Sequence, residues 1–216
     1  MRDLNFQVER AEAEPFAVSP QLIFKLRVTD SAGDKAEPVH AIALKCQIRI
    51  EPGKRRYAPE EQERLLDLFG PSDRWGQTLR PMLWTHASVV SPPFTGQTVL
   101  DLPVPCTYDF NLAGTKYFYA LENGEIPLCL LFSGTIFYAA DNGLQVMQIP
   151  WDKEANFRLP VAVWRKMMDL YYPNSAWLCL HKDVFDKLYL YKSRSSLPTW
   201  EAAIENLLAN SESQVR

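Results

Sequence analysis

The sequence predicts an α+β protein: an antiparallel, Ig-like β-sandwich with one inserted helix and a C-terminal helical subdomain of about three helices packed on it. Up to Gln148 the apolar residues mostly alternate with polar ones or form short runs broken by Pro and Asn-Gly, which is typical of strands and turns. From Trp151 onward the apolar residues recur at helical spacing. We therefore expect a sandwich over residues 1–150, helices over 151–210 and a frayed tail over 211–216.

The composition is that of an ordinary soluble globular chain. It has 216 residues, of which 47% are hydrophobic and 23% are charged, so one large core can be buried. The net charge of −3 gives no bulk attraction to nucleic acid or to anionic membranes. The N-terminus shows no apolar signal segment, and the longest apolar run, 126–132, is too short to cross a bilayer. We expect a cytoplasmic protein with no nucleic-acid or membrane partner.

The first strands follow a period of two. Residues 4–8, 22–28 and 40–50 alternate apolar and polar side chains, which indicates an antiparallel sheet with one face buried and the other in solvent. A helix then interrupts the strands over residues 59–69. Pro suits the first turn of a helix, and the acidic residues that follow Pro59 stabilise its positive end.

Strand patterns resume at 82–90 and 98–104, where prolines restrict the strands to edges or bends. The sequence then predicts a meander of three strands. Asn123-Gly124 and Asn142-Gly143 separate these strands, and Asn-Gly is typical of tight hairpin turns. The strands are expected at 116–121, 126–138 and 144–149. The middle strand is apolar on both faces and should be central, and Gly134 should mark a bulge.

Three helices are predicted after Trp151. Trp164, Met167, Met168 and Tyr171 form an i, i+3, i+4, i+7 stripe. A second stripe covers 184–191, and a third begins after Pro198. Helices this short are unstable alone in water, so they must pack on the sandwich or on a partner.

No metal or cofactor site is predicted, and no enzyme class is supported. The three histidines are far apart in sequence, and the four cysteines contain no close pair of the kind that zinc sites use. Cys46 and Cys129 lie in predicted strands, so an Ig-like disulfide is conceivable. Free buried thiols are favoured because a reducing cytoplasm does not preserve disulfides.

One basic run, residues 54–57, combines Lys54, Arg55 and Arg56 with Tyr57. Such a group could contact phosphate or single-stranded nucleic acid. A solvated turn before the acidic helix is the favoured interpretation, because nucleic-acid binding needs a broader basic surface.

The stretch 150–160 is more suggestive, because it sets acidic and basic side chains among aromatics at the β-to-α junction. A carboxylate–guanidinium pair there could recognise a ligand, or it could hold the junction together. Structural ion pairs are commoner at such junctions, and both interpretations remain open. The candidate junction site consists of Trp151, Asp152, Glu154, Arg158, Arg165 and Trp177.

Four segments carry a family resemblance: IPWDKEA at 149–155, RLPVAVWR at 158–165, YPNSAWL at 172–178 and LPTW at 197–200. They resemble an uncharacterised bacterial domain-of-unknown-function family, family 6084. The resemblance spans nearly the whole chain and is most specific after Trp151. It implies a bacterial cytoplasmic protein, and members of the family are often encoded beside uptake nickel–iron hydrogenases. The resemblance supplies no catalytic residues.

Two functions are compatible with these observations. The first is a non-enzymatic accessory or assembly protein that binds another protein, with hydrogenase-linked proteins as candidate partners. The abundance of Trp and Tyr favours it, since these residues suit protein interfaces. The alternative is a small-molecule-binding protein or an unrecognised enzyme with a pocket at the sandwich–helix junction, where Asp152, Glu154 and Arg158 would act. The oligomeric state is not predicted.

Overall fold

The computed structural model describes residues 3–33, 37–140 and 143–214. They form two antiparallel sheets and a set of helices that lie mostly in the C-terminal part, which confirms the predicted fold class. The strands are β1 (Leu4–Ala13), β2 (Gln21–Asp30), β3 (Val39–Ile50), β4 (Met82–Val90), β5 (Gln97–Pro105), β6 (Glu125–Ala140), β7 (Gly143–Gln148) and β8 (Glu154–Pro160). The helices are α1 (Pro59–Arg64), α2 (Leu66–Phe69), α3 (Trp75–Thr78), α4 (Ala113–Ala120), α5 (Val161–Tyr171), α6 (Lys182–Arg194) and α7 (Trp200–Gln214).

The first sheet has the order β1-β2-β5, and the second has the order β4-β3-β6. The other edge of β6 is shared, because its first half pairs with β8 and its second half with β7. β6 is therefore central, as its two apolar faces predict. β4 lies beside β5 and β1 lies beside β8, so the two sheets approach each other at both edges.

The core lies between the two sheets and is filled by the inward residues of each strand. Phe6 of β1 stacks on Phe132 of β6 with 4.5 Å between ring centroids. Phe24 of β2 contacts the ring of Phe157 of β8 at 5.4 Å. The period-two patterns of β1, β2 and β3 correspond to this burial, because the strands alternate between the core and solvent.

Gly134 lies where β6 changes its partner from β8 to β7. Its φ is +142°, and a Cβ built on it would lie 2.1 Å from the carbonyl oxygen of Ala43. The register between β3 and β6 continues through this point, with Lys45 opposite Ser133 and Leu44 opposite Gly134. Gly134 is thus not a bulge, because the pairing between β3 and β6 is unbroken there. It is a position where the two backbones approach closely.

The predicted first strand of the meander, residues 116–121, is wrong because Ala113–Ala120 is helix α4. Its aromatic residues suit a strand, but Tyr117 and Phe118 are both buried at successive positions, which a strand with one solvent face does not allow. The Asn123-Gly124 turn consequently joins α4 to β6. Of the second predicted turn, Asn142 lies outside the described residues.

The inserted helix predicted over 59–69 is present as α1 and α2, and the short helix α3 follows it. Leu65, between α1 and α2, is fully buried, and Phe69 and Trp75 pack against each other with 6.2 Å between ring centroids. The segment between β3 and β4 therefore contributes apolar side chains to the core and is not a solvent-exposed excursion.

The chain beyond Trp151 is not helical throughout, since β8 precedes α5. Ala155, Phe157 and Leu159 of β8 face inward. The strand was not predicted because its alternation is short and the spacing of the aromatic residues around it also suits a helix. Helix α5 then lies against β1, β2 and β8. It buries the predicted stripe, including Trp164 and Met168.

The chain divides into two compact units, Met1–Trp177 and Leu178–Arg216. The first contains both sheets and α5, so the boundary that the sequence suggests near Trp151 falls inside it. The second contains α6 and α7, in which the Phe185 and Trp200 rings lie 5.3 Å apart. Helix α7 continues to Gln214 through most of the predicted frayed tail.

Candidate functional site

The first residues of the predicted junction site lie in an exposed turn between β7 and β8. Trp151 is 93% exposed, and Asp152 beside it is also exposed. The next residue, Lys153, forms an ion pair with Asp3 at the start of β1. The turn is therefore attached to the sandwich through Lys153, while the Trp151 indole remains open to solvent.

Glu154 and Arg158 lie on the same solvent face of β8, because both are at even positions of the strand. Four residues of extended strand separate them by about 13 Å, so the two side chains do not meet as a pair. Arg158 instead lies 3.9 Å from Glu125 on β6, and both members of this pair are about half exposed. Glu154 lies 3.9 Å from the Cys129 sulfur.

Arg165 and Trp177 lie apart from these carboxylates. Arg165, on α5, donates a hydrogen bond of 2.5 Å to the carbonyl oxygen of Leu121, the residue that follows α4. Trp177 is 67% exposed, and its ring lies 6.0 Å from that of Tyr172. The six predicted residues are thus spread over a turn, a strand face, a helix and the segment after it.

A buried polar cluster, which the sequence did not indicate, holds the helical insertion to the sandwich. The Arg55 guanidinium pairs with Glu61 at 2.5 Å, and their side chains are only 8% and 3% exposed. Glu61 also accepts hydrogen bonds from the backbone N–H groups of Ala58 and Glu122. Arg55 donates a further hydrogen bond to the carbonyl oxygen of Glu125. The central arginine of the basic run is consequently internal and does not form part of a basic surface.

Two tyrosines extend this cluster into the core. Tyr57 donates its hydroxyl proton to the carbonyl oxygen of Pro52 at 2.7 Å, which leaves Tyr117 as the donor in the 2.8 Å bond between the two hydroxyls. Burial raises the pKa of Tyr57 to about 12 and raises that of Tyr117 further. Both phenols therefore stay protonated near neutral pH and act as hydrogen-bonding groups.

The four cysteines are free thiols. Cys46 and Cys129 lie on neighbouring strands of one sheet and on its opposite faces, so they cannot form the inter-sheet disulfide of an Ig domain. Burial raises the pKa values of Cys46 and Cys106 to about 12, and it also raises that of Cys129. A thiol needs a lowered pKa to act as a nucleophile, so these three are inert at neutral pH.

A cleft of about 450 Å³ opens between β4, the end of β5 and the start of α4. It is lined by Trp84, Cys106, Leu112 and several threonines. Its volume lies in the range of small-molecule sites, and none of its lining residues belongs to the predicted junction site. No pattern in the sequence predicts this cleft, because three separate elements supply its walls.

Among residues 3–33, 37–140 and 143–214, no group of three or more His, Cys, Asp or Glu side chains is placed to hold a metal ion. In the described part of the chain, no helix has the length and apolar character needed to cross a membrane.

The second unit exposes most of its apolar side chains. Among residues 178–211, whose side chains the structure describes, Ala203 alone is buried. Phe185 and Tyr189 of α6 pack against Trp200 of α7, and the Lys192 ammonium lies over the Trp200 ring at 5.5 Å. Beyond these contacts an apolar surface remains open to solvent. We call this the hairpin surface, and it consists of Val184, Leu190, Ile204, Leu207 and Leu208.

Comparison with curated proteins and with solved structures finds no match. Comparison with protein-family models gives one result that covers the entire chain. The model of the Family of unknown function (DUF6084) matches residues 1–216. The chain therefore belongs to this family, as the resemblance of its C-terminal segments implied.

Proposed function

We propose that this protein is a non-enzymatic accessory or assembly protein that binds another protein through the hairpin surface of its second unit. The observation that carries the proposal is the near absence of burial among residues 178–211, where only Ala203 is covered. Five apolar side chains on two adjacent helices are instead presented to solvent. Large apolar side chains left exposed on packed helices are typical of sites of protein interaction.

The energetics of short helices support this proposal. Helices α6 and α7 have 13 and 15 residues, a length at which isolated helices are marginal in water. Covering a half-exposed Leu, Ile or Val would contribute about 1 kcal/mol, so five such residues would supply a useful part of a micromolar affinity. An apolar groove on a partner is the surface that such a helix pair fits.

The polar chemistry of the first unit also supports a binding role. Arg165 is held by the Leu121 carbonyl, and Arg158 lies against Glu125. Both contacts hold elements of the first unit together.

The candidate partners come from the resemblance described above. Because members of the family are often encoded beside uptake nickel–iron hydrogenases, hydrogenase-linked proteins of the bacterial cytoplasm are the first class to test. Within this proposal the chain recognises a folding or assembling protein by its apolar surface, and handles no metal itself.

The test is affinity capture of the full chain, at native expression, from its bacterial host. Leu190→Asp and Leu208→Asp each place a charge on the hairpin surface, whereas Leu66→Asp places one at a similarly exposed position on α2. We expect mass spectrometry to identify the same companion protein with the wild type and Leu66→Asp. Its recovery should fall at least about tenfold with either hairpin variant, since a buried unpaired charge costs more than 1.4 kcal/mol. Equal recovery with all four chains would refute the proposal.

A second candidate function, small-molecule binding, is favoured by the cleft of about 450 Å³ beside Trp84. This site differs from the junction pocket that the sequence suggests. If ligand binding in this cleft is the main function, the wild type should capture no specific companion protein from the host. The capture experiment therefore discriminates the two candidates.

A further inference from the structure

β7 is an edge strand whose composition differs from that of the other sheet edges. It runs from Gly143 to Gln148 with the sequence GLQVMQ, which contains no charged residue and no proline. On one side it pairs with β6, and the described residues place no strand on its other side. Its side chains are mostly exposed, including Leu144 and Val146.

The other sheet edges are protected against pairing with a second chain. β5 carries Pro103, Pro105 and the charged Asp101, and β1 carries Arg10 and Glu12, which form an ion pair. β4 lies beside β5. Prolines, charges and neighbouring strands are the usual means by which soluble proteins block edge-to-edge association. β7 has neither prolines nor charged residues, which indicates an edge that is covered by a partner strand.

The free backbone groups of β7 can be assigned from the ladder. The Ile149 N–H donates to the carbonyl oxygen of Gly134 at 2.9 Å. Because hydrogen-bonded and non-hydrogen-bonded positions alternate in an antiparallel ladder, the odd-numbered residues of β7 direct their backbone groups to β6. Leu144, Val146 and Gln148 therefore direct theirs to the open edge.

The outward side chains next to this edge are apolar as well. Val146 lies opposite Phe137 of β6, and Leu144 lies opposite Ala139. Residues opposite each other in an antiparallel pair share a face, so these four side chains form one apolar strip on the outer face of the sheet. A strand added to β7 would extend that face.

We propose that β7 is a self-association edge, at which a second copy of this chain pairs its own β7 antiparallel about a two-fold axis through Val146. With the axis there, Val146 lies opposite its own copy and Leu144 lies opposite Gln148 of the second copy. Every outward residue then faces an outward residue, so the apolar strip continues across both subunits. Each of these pairs also uses the backbone groups that point away from β6.

A second copy is the occupant that the charges favour. A two-fold contact places each residue near its own copy, so any charge on the edge would face an identical charge. β7 carries none, and is thus compatible with itself in this arrangement. This inference is independent of the proposed function, because it concerns a strand of the first unit and not the hairpin surface.

The first test is sedimentation velocity of the full-length protein over a range of concentrations. We expect the wild type to be a dimer, and Val146→Lys to weaken dimerisation at least about 100-fold because two like charges would be opposed at the axis. Val99→Lys, on β5, places the same charge at an exposed position of the other sheet and should leave the dimer intact. A wild type that stays monomeric up to about 100 µM, the weak end of specific association, would overturn the proposal. So would a dimer that survives Val146→Lys.

A second measurement does not depend on how well the lysine variant folds. In a Cys179→Ser background, which removes the exposed native thiol, Val146→Cys is treated with a short homobifunctional maleimide. Proximity at the axis should give a covalent dimer on a denaturing gel, whereas Val99→Cys in the same background should not. Absence of the cross-linked band from Val146→Cys, or equal bands from both variants, would exclude pairing through β7.

Discussion

At the residue scale, Gly134 is a position where the second sheet has no room for a side chain. An alanine there would bring its Cβ to 2.1 Å from the Ala43 carbonyl oxygen while holding φ at +142°, so either the β3–β6 ladder or the backbone of β6 must shift. We expect Gly134→Ala to lower the free energy of unfolding by at least about 3 kcal/mol, measured by urea denaturation.

Two glycines provide matched controls for this prediction. Gly143 also has a positive φ, of 97°, but an added Cβ would meet nothing within 4 Å. Gly143→Ala should therefore cost only the conformational strain, about 1–2 kcal/mol. Gly76, in α3, has neither constraint, and its replacement by Ala should be neutral or stabilising. The steric explanation fails if Gly134→Ala and Gly143→Ala unfold at the same urea concentration.

The buried thiols give the protein a pH dependence at the alkaline end. In the unfolded chain Cys46 and Cys106 release their protons near pH 9, whereas burial raises their pKa values to about 12 in the folded protein. Their contribution to stability is complete below pH 9 and is lost as the pH rises from 9 to 12, because the unfolded state then binds fewer protons. Each thiol should lower the free energy of unfolding by about 1 kcal/mol per pH unit in that window.

Replacing one of these thiols should reduce that slope. Cys46→Ala should lower stability at pH 7 by about 1 kcal/mol through lost packing, and yet show a shallower decline between pH 9 and pH 11. Cys179 is exposed, so Cys179→Ala should keep the wild-type slope. Urea denaturation at a series of pH values measures both quantities. An unchanged slope in Cys46→Ala would show that the thiol is not protected in the folded state.

At the element scale, the structure explains which parts of the fold the sequence could predict. β1, β2 and β3 each have one face in the core and one in solvent. Apolar and polar residues therefore alternate along their sequences, and this alternation predicts strands. The stripe of α5 is equally direct, since Trp164, Met167 and Met168 are all buried on one side of the helix.

Other elements were mispredicted because tertiary contacts determine them. Tyr117 and Phe118 of α4 have the β-propensity of a strand, but both pack against aromatic rings from other segments. Tyr117 contacts Tyr57 and Phe69, and Phe118 contacts Trp84 and Trp164. The burial of Arg55 could not be predicted from the sequence either. It depends on Glu61 of α1 and on the Glu125 carbonyl oxygen at the start of β6, which only the folded chain brings to Arg55.

The candidate site illustrates the same limit. Asp152, Glu154 and Arg158 are close in sequence, which suggested a shared site at the junction. The directions of their side chains depend on the backbone conformation. Because 154–160 is a strand, Glu154 and Arg158 face solvent and lie apart along its length. Closeness in sequence therefore does not by itself place the Glu154 and Arg158 side chains next to each other.

At the scale of the whole molecule, the hydrophobic core ends before the second unit begins. Every residue of the core cluster lies between Leu4 and Tyr172, and the second unit starts at Leu178. A chain that ends at Trp177 thus retains all of the side chains that fill the space between the sheets. It should also retain every strand pairing, because the last strand, β8, ends at Pro160.

We therefore expect the chain 1–177 to fold on its own, with a thermal unfolding midpoint within about 4 °C of the full-length value. Two shorter chains test where the folding unit ends. A chain ending at Pro160 lacks α5 and so loses Trp164, Met167 and Met168 from the core, while a chain ending at Pro150 also leaves half of the β6 edge unpaired. Both should lack a cooperative transition in calorimetry, because deleting even one large core side chain costs about 2–5 kcal/mol against a total stability of about 5–15 kcal/mol. A cooperative transition in the chain ending at Pro150 would instead place the folding boundary near Trp151. Failure of the chain 1–177 to fold would make α6 and α7 part of the same cooperative unit.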